Sequence, residues 1–192
     1  RKLRDPQNLA IILDHHIPPP EPPPMIIFEI NPHKYGINGD ISLSASTLTY
    51  LFVTTKGRNK DLINYAIAGA YGDTPNGLEG INKDLLDEAI RMGYLKPILT
   101  EQSQVEYYTS DGFPIKRMTL FLNATGKLYK ENETIESIIN DKITSETIEK
   151  TIEEYKQTLA IMLSKLSVTE SMRWIDVYNM PWSNERIIGT VL

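Results

Sequence analysis

The chain has 192 residues, a net charge of −5, 41% hydrophobic and 23% charged residues, and no cysteine. That length suits one large domain or one and a half, and the lack of cysteine excludes disulfides, thiolate zinc sites and cysteine nucleophiles. The acidic balance argues against a protein that coats nucleic acid generally, and no apolar run approaches the roughly 18 residues of a membrane span.

Leu9-Ala10-Ile11-Ile12-Leu13 is an apolar run of strand length that ends abruptly in Asp14-His15-His16. Such a run reads as a buried strand with a polar C-terminal end, the edge at which open α/β sheets place ligands. Two of the three histidines of the chain follow one carboxylate here, and imidazole with carboxylate suits Mn²⁺, Zn²⁺ or Fe²⁺. The segment 17–24 carries six prolines and reads as a stiff polyproline spacer, or a ligand for a proline-reading domain. Met25–Ile30 is a second buried strand, ending in Asn31-Pro32-His33-Lys34. Two strands ending in polar groups on one edge suggest a single site, with His33 and Lys34 as cations for a phosphate.

Residues 35–40 form a turn-rich loop by their Gly and Asn content. Residues 42–52 read as a helix capped by Ser42 or Ser44, a helix start that can also meet anions. Lys60–Tyr71 is a second helix, with Leu62, Ile63, Ala66, Ile67 and Ala70 on one face, running into Gly72-Asp73. A third helix is capped by Asn82, buries Leu85, Leu86, Ala89 and Ile90, and stops at Gly93. Residues 104–108 suggest a short strand, 111–114 a turn, and 118–122 a strand or a helix. Ser145–Ser167 gives the clearest helical pattern, with Ile148, Ile152, Tyr155, Leu159, Met162 and Leu166 in a heptad-like seam. It packs within the protein or connects two domains. Residues 174–178 form a further strand. Arg, not Met, stands first, and the chain reads as cut at both ends. With no secretory leader pattern and no cysteine, a cytoplasmic protein is expected.

The series Ile12-Leu13-Asp14-His15-His16, then Ile30-Asn31-Pro32, then Gly39 with a Ser-rich helix, then Gly69-Ala70-Tyr71-Gly72-Asp73 resembles the second half of a DHH-family phosphoesterase domain. It most resembles the RecJ-like branch, and within it the archaeal single-strand nucleases that associate with the GINS replication complex. The resemblance covers roughly residues 8 to 95. It implies a parallel-sheet α/β domain over residues 1–130, a helical connector over 131–167, and the start of a second α/β domain (DHHA1-like) over 168–192. It implies a Mn²⁺-dependent hydrolase with two ions, Mg²⁺ being the alternative metal. His15 and Asp73 would be metal ligands. Asp14 would sit behind His15, accepting its second N–H and fixing the tautomer. His16, Asn31, His33 and Lys34 would face the substrate phosphate, so that Asp14, His15, His16 and Asp73 form the catalytic set. The family's two earlier aspartate motifs would precede Arg1.

Three functions follow from the resemblance. The first is a RecJ-like exonuclease on single-stranded DNA or RNA in replication or repair. The second is a phosphodiesterase on nanoRNA or cyclic dinucleotides. The third is a non-catalytic scaffold of the replicative helicase with the same fold. The presence of Asp14, His15, His16 and Asp73 together favours an enzyme over the scaffold.

Overall fold

The structure, a computed structural model, describes residues 10–18, 20, 27–74, 77–140, 143–170, 172–176 and 185–191. Most of the expected polyproline stretch and the ends of three expected strands (residue 9, residues 25–26 and residues 177–178) lie outside these. The chain forms a mixed α/β structure of two compact units, divided between Lys116 and Arg117. Among the described residues no helix is long and apolar enough to cross a membrane.

In the first unit Ala10–Leu13 (β1) pairs in parallel with Ile27–Ile30 (β2), Ala10 opposite Ile27 and Leu13 opposite Ile30. A bond from the Asp14 amide to the Ile30 carbonyl (3.2 Å) carries the ladder one residue further. In-register parallel pairing brings both polar strand ends to one edge. The strands are not buried as their apolar runs suggest: Ile11, Ile12 and Phe28 are exposed. Among the described residues this sheet has two strands, with the helix Ala45–Thr54 packed on β1, so only part of its surface is covered.

Pro32–Tyr35 then makes one 3-10 turn, closed by Gly36 at a φ of 74°, where a side chain would be strained. A single helical turn, Gly39–Ser42 (α1), leads into Ala45–Thr54 (α2). Ser44 caps α2 by accepting from the Thr47 amide at 3.2 Å. A 3-10 turn at Lys60–Leu62 feeds Ile63–Asp73 (α3), and Gly80–Arg91 (α4) follows. Ile63, Ile67, Ala68 and Ala70 are fully buried where α3 packs against both α2 and α4, and Leu85, Leu86 and Ala89 face inward from α4. This packing fixes the C-terminal end of α3, which carries Asp73.

Asn82 does not cap α4, which starts two residues earlier at Gly80. It is fully buried inside the helix, accepts from the Ser44 amide (3.0 Å) and donates to the Ile41 carbonyl (3.3 Å). Those groups lie in the bend between α1 and α2, and buried backbone groups need partners. Leu95–Leu99 (β3) and Val105–Thr109 (β4) close the unit as an antiparallel hairpin. Pro97 within β3 obscures that strand in the sequence; it is tolerated because β3 is half of a two-stranded ribbon.

The second unit takes over within Ile115–Lys127 (α5), so residues 118–122 are helical, with Met118, Phe121 and Ala124 buried. Glu131–Ile139 (α6) and Ser145–Ser164 (α7) follow, α7 being capped by Thr144, which accepts from the Thr147 amide. Ile148, Ile152 and Met162 of the seam are buried, and Tyr155, Leu159 and Leu166 are half-buried. Met162 packs with Ile187 of Glu185–Val191 (α8) in a cluster that Leu128, Tyr155, Leu159 and Leu166 flank. The helix ends before Leu166, which instead opens Leu166–Val168 (β5), paired antiparallel with Arg173–Ile175 (β6).

Candidate functional site

The two strand ends and the end of α3 meet at His15. Its side chain is nearly buried, and its Nε2 stands 3.8 Å from Asp73 Oδ2. The other ring nitrogen, Nδ1, lies 3.2 Å from the carbonyl oxygen of Gly39. A carbonyl only accepts, so Nδ1 carries a proton, and in the neutral imidazole Nε2 then offers a lone pair. In that neutral form the lone pair and the Asp73 carboxylate face each other as two acceptors, whereas the imidazolium would direct Nε2–H at the carboxylate.

Asp14 does not stand behind His15. Its Oδ1 accepts from the backbone N–H of His15 (2.8 Å), from that of His16 (3.3 Å) and from His16 Nδ1 (2.8 Å). Short Asp side chains bond locally in this way where a strand stops and its next amides lose their ladder. The place expected for Asp14 is taken by the Gly39 carbonyl. The imidazole of His16 is held on Asp14 by Nδ1, while its side chain is largely exposed and the ring lies 4.3 Å from that of His15. The hydrogen bond to Asp14 raises the His16 pKa above the ordinary imidazole value, with the Asp14 charge and then Asp40 and Asp73 adding to it. The same bond lowers Asp14 below the ordinary carboxylate value, against a smaller desolvation effect.

Three of the four groups expected to meet phosphate have other partners. Asn31 is fully buried; its amide donates to the His16 carbonyl (2.9 Å), and its Oδ1 accepts from the His33 amide (3.0 Å). It ties the end of β1 to the turn after β2. His33 Nε2 accepts from the Gly39 amide at 3.3 Å. Lys34 Nζ pairs with Glu29 Oε2 at 2.7 Å. Of the four, His16 keeps a ring nitrogen, Nε2, on an exposed side chain. Asp40, in the first turn of α1, also lies near enough to favour the charged form of His16.

Gly39 belongs to the motif series, but its contact with His15 is not legible in the sequence, where Asn38-Gly39 reads as an ordinary turn. That contact depends on a close approach of backbone to backbone. A Cβ built on Gly39 would stand 2.9 Å from the carbonyl carbon of His15 and 3.1 Å from His33 Nε2, and closer still to the His15 carbonyl oxygen.

The chemistry of the donors fits a divalent cation in part. Ligands about 2.1 Å from one ion, at angles of about 90–110°, stand about 3.0–3.4 Å apart. The His15–Asp73 pair is a few tenths of an ångström wider than that. Among the described residues no three His, Asp or Glu side chains converge on one point, so the pair offers two donors.

No family model matches the sequence. The chain is similar to an uncharacterized protein of Methanocaldococcus jannaschii, with 35% identity over 133 residues. The match covers 63% of this chain and 29% of that protein, so it spans less than a third of the relative's length.

Proposed function

We propose that this chain contributes His15 and Asp73 to a Mn²⁺ centre of a RecJ-like phosphodiesterase acting on single-stranded DNA or RNA. One observation carries the reading: His15 Nε2 and a carboxylate oxygen of Asp73, 58 positions apart in sequence, stand 3.8 Å apart at the edge where the strands end. Two acceptors face each other at low cost when a cation sits between them. Bound Mn²⁺ would supply an activated water and neutralise charge on the phosphoryl group.

The chain's own residues would do the rest. Asp14 orients His16 and favours its charged form, in which Nε2–H would donate to a phosphate oxygen. Asn31 holds the carbonyl of His16 and so the course of the backbone through both histidines. His33 and Lys34 serve the turn and the strand end. Single-stranded nucleic acid as substrate, and the GINS complex as partner, come from the resemblance of the motif series. Two donors leave an ion mostly hydrated, so the remaining ligands of a working two-metal centre are proposed to come from outside the described residues.

Mn²⁺ titration of the chain tests the reading. Weak binding is expected, lost in both His15→Ala and Asp73→Ala and kept in His16→Ala. On single-stranded oligonucleotides the chain alone is expected to be inert with excess Mn²⁺. Equal Mn²⁺ binding by the wild type and by both ligand variants would overturn the assignment.

A further inference from the structure

His15 can be a ligand through Nε2 only while Nδ1 holds the proton, and the Gly39 carbonyl enforces that form. What fixes the Gly39 carbonyl is therefore part of the site. Its peptide to Asp40 is clamped at the N–H end by Asn38, whose Oδ1 accepts from the Asp40 amide at 3.0 Å. Gly39's own N–H is held by His33 Nε2 at 3.3 Å. His33 is in turn fixed by Asn31, which accepts from its amide, and by the 3-10 turn, whose Gly36 N–H bonds back to the His33 carbonyl. A chain of bonds thus runs from Asn31 through His33 and Gly39 to His15, and Asn31 also reaches the carbonyl of His16. The bonds of this chain are buried or half-buried, where competition from water is weak, while the Asn38 clamp is exposed.

We propose that His33 is a positioning residue: by holding the Gly39 N–H it keeps the Gly39 carbonyl on His15 Nδ1, so that His15 presents the Nε2 lone pair toward Asp73. The sequence suggests a phosphate contact for His33. The geometry instead turns its acceptor nitrogen inward onto a backbone donor. A hydrogen bond to the far nitrogen of a metal-binding histidine fixes its tautomer and orientation, and the loss of such a partner typically costs about 10–100-fold in metal affinity. The inference rests on the reading of His15 as a ligand for its metal arm, whereas the tautomer can be measured without metal.

The test uses the metal-free chain at neutral pH and long-range ¹H–¹⁵N correlation spectra of the imidazoles. In the wild type His15 is expected with Nδ1 protonated and Nε2 bare, and His33 with Nε2 bare. His33→Ala should give His15 as a mixture of tautomers. His33→Gln, whose side-chain oxygen can reach the place of Nε2, should restore the single form. Mn²⁺ affinity should fall about tenfold in His33→Ala and recover in His33→Gln, following the tautomer. A wild-type His15 with its proton on Nε2 overturns the proposal without any variant. So does an unchanged His15 tautomer in folded His33→Ala. Should the tautomer respond as expected while no variant or wild type binds Mn²⁺, the positioning role stands and the metal reading falls.

Discussion

Gly39→Ala is the sharpest test of the site, because its effect comes from contact and not from backbone conformation. The added Cβ meets the His15 carbonyl carbon at 2.9 Å. Carbon atoms rest at about 3.5–4.0 Å, so the two backbones must part by at least about 0.6 Å, and by more at the oxygen. The atoms that must give belong to the backbone of His15, which its ladder-end bonds hold, so relief cannot come from a flexible side chain. Overpacking of this kind costs about 1–3 kcal/mol, and the stretched His15–Gly39 bond about 1 kcal/mol more. The sum, about 2–4 kcal/mol, should lower the melting temperature of a unit of this size by roughly 8–32 °C, at about 4–8 °C per kcal/mol. Gly36→Ala is the control: its Cβ meets nothing within 4 Å, and only the positive φ costs, about 1 kcal/mol. Urea unfolding of both variants, with Mn²⁺ titration at low denaturant, compares them. Gly39→Ala unfolding with the wild-type midpoint, or less harmed than Gly36→Ala, would refute the close-approach argument.

Asn82→Ala should destabilise the chain by about 2–3 kcal/mol in urea unfolding, because it strands the buried Ser44 amide without a partner. The Asp14–His16 pair should give a pH-dependent contribution to stability. His16 is raised and Asp14 lowered in the folded chain. The contribution should therefore be full between about pH 4 and 6.5, the unfolded values. It should be lost above that range as His16 deprotonates and below it as Asp14 protonates. Chemical unfolding across pH should show this dome flattened in both Asp14→Asn and His16→Asn. On α7, Ile152→Ala should cost about 2–4 kcal/mol because Ile152 is 2% exposed. Ile161→Ala, at 54% exposed, should fall within about 0.5 kcal/mol of the wild type.

The sequence alone determined the local structure where one pattern dominated. The apolar run into Asp14-His15-His16 specified a strand and its polar end. The spacing of Ile63, Ala66, Ile67 and Ala70 specified a buried helix face, and the seam from Ile148 to Met162 specified the inward side of α7. Ser44 at the start of α2 was legible as one of two caps because capping is read within three residues. These features depend on neighbours in the chain, so composition and period suffice.

Tertiary structure decided the rest, because the deciding partners are far apart in sequence. Asn82 reads as a cap by residue type, yet it serves the Ser44 amide, 38 positions away. The motif resemblance singles out Asp73, but it is the packing of α3 that brings it to His15. His33 and Asn31 read as groups for a ligand, but buried backbone donors and acceptors claim them first. Most of all, the partner of His15 is a backbone carbonyl. Every residue carries one, so no side-chain pattern could single out Gly39; only the fold brings that carbonyl, with no Cβ in the way, within reach of the imidazole.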